Sequence, residues 1–312
     1  MSATSVPPTE VSLGRAVSHL RDGELVGIPT ETVYGLAADA TNPTAVAKIY
    51  EVKARPRFNP LIAHVSDLSM AQQEGILSDR AVNLAETLWP GPLTLVVDLA
   101  TTATTCDLAR AGLSTIALRC PAHPVARDLI EQFGGPLVAP SANLSGGVSP
   151  TRAEHVFNDL SDKIDLILDG GPSRIGLEST IIDARGEHPA LLRSGTITPD
   201  AIEQVWPDLI RPETDPTAPT APGQLLRHYA PRARLRLNAE TTEPTEALLG
   251  FGSVSHATLN LSRTGNLAEA AANLFTMLRQ LDETHSLIAV SPIPDRGLGE
   301  AINDRLTRAA RG

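Results

Sequence analysis

Residues 206–222 read WPDLIRPETDPTAPTAP, with five prolines and no run of apolar residues. Each proline fixes its own φ and removes a backbone donor, so neither a helix nor an inner strand can cross this stretch. The 312-residue chain is therefore expected to fold as two units joined by a stiff, extended connector, in keeping with roughly 100–200 residues per domain. Charge divides at the same place: residues 1–205 carry −9, whereas residues 223–312 carry +1.

Before the connector, short apolar runs read as strands at 25–28, 61–65, 93–97, 115–118, 166–168 and 180–182. Helical patterns lie between several of them, at 44–52 (with Asn42 as cap and then Pro43), 79–88 and 124–133. Interleaved strands and helices place the chain in the α/β class. The intervals are irregular and some strands follow one another directly, so a mixed sheet is expected. After the connector, strand patterns at 247–249, 258–261 and 287–290 alternate with helical 268–281 and 300–310, which suits a small doubly wound unit.

Lysine is scarce: the 26 Lys+Arg include only Lys48, Lys53 and Lys163. None follows a glycine, which rules out the Gly-Lys-Ser/Thr phosphate loop, and the G-x-G-x-x-G, H-E-x-x-H and G-x-S-x-G signatures are absent. Aromatic residues at 3% and a net charge of −10 speak against stacking platforms for single strands and against a general polyanion binder. The first residues lack the basic-then-apolar pattern of a secretion signal, and no stretch reaches the ~18 apolar residues of a membrane span. A cytoplasmic location without a membrane partner is expected. Cys106 and Cys120 stand in no metal-ligand or redox spacing, and read as reduced packing residues.

Chemistry is sought in three loops. Lys53-Ala54-Arg55-Pro56-Arg57-Phe58-Asn59-Pro60 directly follows a helical pattern, and Pro56 keeps the helix from continuing through Arg55. Its cations recur at every second residue, so on an extended backbone they share one face suited to gripping a polyphosphate, Lys as a point charge and Arg as a fork. A solvated basic turn is the alternative. Residues 140–150, PSANLSGGVSP, follow the short apolar run 137–139. They either offer backbone N–H groups and hydroxyls at the carboxyl edge of a sheet, where open α/β folds hold ligands, or form an ordinary turn. Residues 29–36 gather Thr30, Glu31, Thr32 and Tyr34 after a strand, enough to read a small polar molecule. His64 at a strand end, Arg119, Glu178-Ser179-Thr180 and Arg193 complete the candidates. A lone histidine there is more often structural, whereas Arg119 within an apolar strand costs stability unless an anion pairs with it.

Taken together and in this order, these clusters resemble the threonylcarbamoyl-AMP synthase family, of the YrdC/Sua type. The resemblance covers residues 10–205 through G-I-P-T-E-T-V-Y-G-L at 27–36, K-x-R-P at 53–56, Asn59-Pro60-Leu61, L-R-C-P at 118–121 and S-x-N at 141–143. The remainder resembles the longer, two-domain branch through His-Tyr-Ala-Pro at 228–231 and G-E-A-I-N-D-R at 299–305. Residues 222–227, PGQLLR, depart from that branch, which more often has Met-Lys-Tyr-type residues after the glycine.

The resemblance implies a YrdC-like catalytic domain with a twisted mixed α/β sheet at 10–205, a Pro-rich linker or lid at 206–232, and a small Rossmann-like α/β domain at 233–312. It implies a reaction in which L-threonine, bicarbonate or CO2, and ATP give threonylcarbamoyl-AMP and pyrophosphate. The product passes to a separate tRNA threonylcarbamoyl transferase complex, and Mg2+ accompanies ATP with no protein ligand assigned to it. Position by position, Lys53, Arg55 and Asn59 are implied to hold the triphosphate, Lys53 and Arg55 offsetting charge on the leaving pyrophosphate. Thr115, Ser141, Asn143, Ser149 and Arg193, with Tyr229 of the linker, are implied to bind the rest of the nucleotide. Thr32, His64, Arg119, Ser179 and the backbone at Ala139 are implied to bind threonine, Arg119 taking its carboxylate, while Thr30 and Tyr34 shape that pocket. Two other readings stay open: an RNA-binding module, or a weak RNA contact, on a basic face, against which the −9 of residues 1–205 speaks, and a paralogue that keeps the fold without the activity.

Overall fold

The structure is a computed structural model that describes residues 3–212, 221–223 and 227–311. Most of the 206–222 connector is thus described at its two ends, and residues 213–220 and 224–226 lie outside the described residues.

Local chemistry accounts for the helices. The chain starts with β1 (Thr4–Val6) and α1 (Glu10–Arg21), where Thr9 and Ser12 form a reciprocal capping box. Next come β2 (Val26–Ile28), β3 (Gly35–Asp39) and α2 (Pro43–Val52). Asn42 caps α2 by accepting from the N–H groups of Thr44 and Ala45, and Pro43 sits at the first turn, where its missing N–H costs nothing. β4 (Ile62–His64), α3 (Leu68–Glu74), the short β5 (Gly75–Ile76) and α4 (Asp79–Leu88) lead to β6 (Leu93–Leu99) and β7 (Thr115–Arg119). Then follow α5 (Pro124–Phe133), β8 (Leu137–Val138), α6 (Ala153–Leu160), β9 (Leu166–Leu168), β10 (Thr180–Asp183), β11 (Ala190–Arg193) and α7 (Pro199–Glu203). The second unit holds β12 (Arg234–Arg236), β13 (Ala247–Gly250), β14 (Leu259–Asn260), α8 (Leu267–Thr284), β15 (Leu287–Val290) and α9 (Leu298–Ala309).

The first sheet runs β1-β9-β2-β3-β8-β4-β7-β6-β10-β11, with β5 paired to β6. It is mixed, as expected: β4/β7 and β6/β10 are parallel, whereas β2/β3, β6/β7 and β10/β11 are antiparallel. The second sheet, β12-β15-β13-β14, is parallel throughout.

Strand alternation decides what each face of the first sheet meets. On β3, Leu36 and Ala38 join the core under α2 and α6, while Ala37 joins the core under α1 and α5. Towards the other end of the sheet, Ala63, Leu95, Val97, Ile116, Leu118 and Ile182 pack with residues of α3, α4 and α7. Their neighbours Ile62, Val96, Ala117 and Ile181 point the opposite way, and the residue that covers them is Ala221 of the connector. Among the described residues that second face carries no packed helix, and it is where the candidate site lies.

The two units are joined by a continuous core. Val33, Val148 and Leu177 of the first unit pack in one cluster with Tyr229, Leu274, Phe275 and Leu278. Arg279 of α8 donates to Asp159 at 2.6 Å and to the Val148 carbonyl. At Gly176, whose φ is +79°, a Cβ would stand 2.6 Å from the Ala271 carbonyl oxygen, so the backbone of α8 approaches as closely as glycine allows.

Candidate active site

Period-2 alternation carries the polar candidates onto the unfilled face. His64 shares a face with Ile62, Thr115 and Arg119 with Ala117, and Ser179 with Ile181. Arg193 needs a further device. In β11 the register with β10 shifts between Ile181 and Ile182, so that Ile182 pairs with Leu191 but Ile181 pairs with Arg193. This irregularity turns Arg193 onto the cavity side while Leu191 stays in the helix-covered core.

A cavity results, lined by Arg55, Arg119 and Arg193 and by Thr32, His64, Ala139, Ser141 and Ser179. Pro222, Gly223, His228 and Tyr229 close it from the connector side. Arg193 donates to the Pro222 carbonyl at 3.3 Å.

His64 and Arg119 stand in register on β4 and β7. Burial and the Arg119 charge push the imidazole down to about 3, so the ring is neutral. Its Nδ1 lies 3.2 Å from the Ile62 carbonyl, which can only accept, so Nδ1 carries the proton and Nε2 remains an acceptor. Arg119 Nη2 donates to Glu31 Oε1 at 2.5 Å, and its Nε donates to the Gly91 carbonyl at 3.4 Å. Burial by itself raises the Glu31 carboxyl, but the adjacent guanidinium and hydrogen bonds outweigh it and hold Glu31 below its usual value. Among the described residues Arg119 Nη1 makes no hydrogen bond, which leaves one prong of the fork for a ligand.

The basic loop differs from the extended strand pictured from its alternating cations. Lys53 ends α2 in helical conformation (φ −84°), Ala54 is left-handed (φ +49°) and Arg55 follows the turn. Lys53 and Arg55 are buried while Arg57 is exposed, so only two of the three cations turn inwards. Lys53 Nζ donates to the carbonyls of Ser141 and Asn143, both at 2.5 Å, and thereby ties the basic loop to the 140–150 loop. Burial and the Arg55 charge hold that amine well below the usual lysine value. Arg55 donates to the carbonyls of Asn59 and Pro60, and burial brings it down to about 10, still charged at neutral pH. Both polar side-chain atoms of Asn59 and the Oδ1 of Asn143 are buried without a partner among the described residues. Buried polar atoms in that state are rare and point to a missing ligand or water.

Several expected residues stand back from the cavity wall. Thr30 spends its hydroxyl on the loop, donating to the Val33 carbonyl at 2.6 Å and lying 2.8 Å from the Thr32 hydroxyl, so it shapes the turn that presents Thr32. Tyr34 turns away and donates to the Gly171 carbonyl at 2.6 Å. Thr115 starts β7, at the opposite end of the strand from Arg119, beside the Asn59-Pro60 entry to β4. Ser149 donates to Glu178 Oε1 at 2.5 Å.

The residues that the sequence reading left without a role are Glu31, Glu178, His228 and Arg305. Glu178 is the carboxylate on the cavity wall, and its second oxygen accepts from Arg305 Nε of α9 at 3.0 Å. Arg305 also lies 5.2 Å from the centre of the Tyr229 ring, which stacks on Phe275. The signal available for Arg305 was its charge on the otherwise apolar face of a helix. Among the described residues no group of three or more His, Cys, Asp or Glu is placed to hold a metal ion.

Comparison with known proteins decides the family. Residues 18–195 match the family described as "Telomere recombination", and residues 197–311 match the one described as "Threonylcarbamoyl-AMP synthase, C-terminal domain". The threonylcarbamoyl-AMP synthase of Bacillus subtilis (strain 168) is 40% identical and spans 96% of this chain and 93% of its own length. The chain belongs to the threonylcarbamoyl-AMP synthase family. Another family member, from Pyrococcus abyssi, is also 40% identical, over 95% of this chain and 93% of its own. The crystal structure of P. abyssi Sua5 complexed with L-threonine superposes with a TM-score of 0.90 at 36% identity, covering 99% of this chain and 97% of that one. E. coli YciO matches over 62% of this chain and 96% of its own, with a TM-score of 0.55 at 25% identity. The family's two-unit architecture is thus present here in full.

Proposed function

We propose that the protein is an L-threonylcarbamoyladenylate synthase, a nucleotidyltransferase that makes threonylcarbamoyl-AMP and pyrophosphate from L-threonine, bicarbonate or CO2, and ATP. The observation that carries this reading is the convergence of Arg55, Arg119 and Arg193 with neutral His64 on one cavity. Likeness to a protein solved with L-threonine supports the choice of amino acid.

The threonine amine attacks the carbon of CO2 and releases a proton as the carbamate forms, or attacks bicarbonate, in which case the amine proton leaves in the water that is lost. A carbamate oxygen then attacks the α-phosphorus, and the bond from that phosphorus to the β-phosphate oxygen breaks to release pyrophosphate. No protein nucleophile is required, so catalysis rests on positioning and on charge. Arg119, steadied by Glu31, offers its free prong to the threonine carboxylate, and Thr32, His64, Ser179 and the Ala139 backbone complete that end, with Thr30 and Tyr34 supporting the loop. Arg55, Asn59 and Lys53 face the triphosphate, whose charge favours the protonated Lys53 amine. Ser141, Asn143, Ser149, Arg193 and Thr115 serve the rest of the nucleotide. Both oxygens of Glu178 are already engaged, so among the described residues the cavity offers no free carboxylate for a metal ion, and Mg2+ entering with ATP would be held by phosphates and water and would offset phosphate charge.

The connector acts as the lid: Pro222, Gly223, His228 and Tyr229 exclude water from the acyl-adenylate. Residues 10–205, 206–232 and 233–312 are accordingly the catalytic, linker and C-terminal units. The product is handed to a separate tRNA-modifying transferase in the cytoplasm. Pyrophosphate release, measured with each of the twenty amino acids with and without bicarbonate, tests the reading. Release should require threonine and bicarbonate together, and release with neither, or with many amino acids, overturns it.

A further inference from the structure

Ser179 lines the cavity, and the residue that fixes its hydroxyl belongs to none of the sequence motifs. Thr94, fully buried on β6, lies between Leu93 and Leu95, whose side chains enter the helix-covered core. Its own side chain emerges on the cavity face with that of Val96. Thr94 Oγ1 is 2.7 Å from Ser179 Oγ, and Arg193 Nη2 donates to the same Ser179 oxygen at 3.0 Å.

Hydrogen-bond accounting settles the direction. A buried hydroxyl hydrogen needs an acceptor. Among the described residues the Thr94 hydroxyl reaches no partner other than Ser179, so Thr94 donates. A serine oxygen has two acceptor positions and one proton to give. Thr94 and Arg193 fill both acceptor positions, which leaves the Ser179 proton free. Arg55, Arg119 and Arg193 line the same cavity, so what it receives there is anionic.

We propose that Thr94 is a positioning residue for the reaction, which by donating to Ser179 holds that hydroxyl as a donor towards a carboxylate or carbamate oxygen of the substrate. A valine would pack this strand position equally well, and the hydroxyl is the feature that packing does not explain. The proposal rests on the synthase reading of the site.

The test is threonine-dependent pyrophosphate release at saturating ATP and bicarbonate. Thr94→Val should lower kcat/KM for threonine about tenfold, mainly through KM, and leave the KM for ATP within about twofold, the scale of one hydrogen bond to a charged group. Thr94→Ser, which keeps the donor, should restore the wild-type value. Added to Ser179→Ala, Thr94→Val should cost nothing further, because Thr94 acts through that oxygen. An unchanged single variant overturns the proposal, and so does the same loss in both backgrounds, which marks a merely structural role. Thr94→Ala carries the same comparison should the valine variant not accumulate. A wild-type protein that releases no pyrophosphate with threonine overturns the synthase reading and the proposal with it, whereas the variant outcomes bear on Thr94 alone.

Discussion

Arg119 and Glu31 form a pair whose members each need the other. Glu31 is 3% exposed and its Oε2 has no partner among the described residues, so removing the guanidinium strands a buried charge, a loss of roughly 3–5 kcal/mol in comparable cases. Arg119→Lys keeps the charge but loses the fork, and is the better probe. It should raise the KM for threonine roughly ten- to hundredfold, with the KM for ATP nearly unchanged; equal rises in both remove Arg119 from the carboxylate. Lys53 poses a different question, because its amine is buried against two backbone carbonyls. Lys53→Ala should cut turnover by about tenfold or more, the equivalent of ~1.4 kcal/mol in the barrier. Near-wild-type turnover at saturating ATP would leave Lys53 a structural tie alone.

At the scale of elements, the sheet is covered by helices on both faces around β3 and on one face around β6, β7 and β10, where a shallow apolar patch meets the connector. An uncovered face is a place where polar side chains can stand without displacing a packed helix. The second unit docks beside it, with α8 against the Gly176 backbone. Gly176→Ala puts a Cβ 2.6 Å from backbone atoms of α8 and forces a left-handed alanine. We expect it to lower the thermal midpoint by several degrees, about 2–4 °C for each kcal/mol lost in a chain of this size. An unchanged midpoint would show that the contact yields without cost.

At the scale of the molecule, closure and acidity both become testable. If the connector is a lid, ATP with threonine should slow proteolysis within 206–232, and equal rates with and without ligands count against it. His64, His155 and His228 are all held below the ordinary histidine value, chiefly by burial, His64 to about 3 and His155 to about 4. In each the unfolded chain binds a proton more readily than the folded one, so their contribution is full above about pH 6.5 and is lost as pH falls, down to about 4 for His155 and about 3 for His64. Thermal unfolding at pH 5 should therefore come at a lower temperature than at pH 7.5. The reverse order would mean that these rings are not buried neutral.

The sequence by itself determined the α/β class, the two-unit architecture, the helices read at 44–52, 79–88 and 124–133, and the polar residues from which the candidate site is drawn. Those features are local: caps, apolar periodicity and proline act within a few residues. Helix α1 was not among the helices read from the sequence, although Leu13, Ala16, Val17 and Leu20 recur at helical spacing behind Thr9. Tertiary structure alone decided which polar residues face one another. The turn at Ala54 sends Lys53 and Arg55 inwards and Arg57 out, and the register shift in β11 brings Arg193 to the side of Ser179 that strict alternation from Leu191 would deny it. Pairing also chose partners across long separations, Glu31 for Arg119, Glu178 for Arg305 and Thr94 for Ser179. Strand order and domain docking set those distances, and no local pattern encodes them.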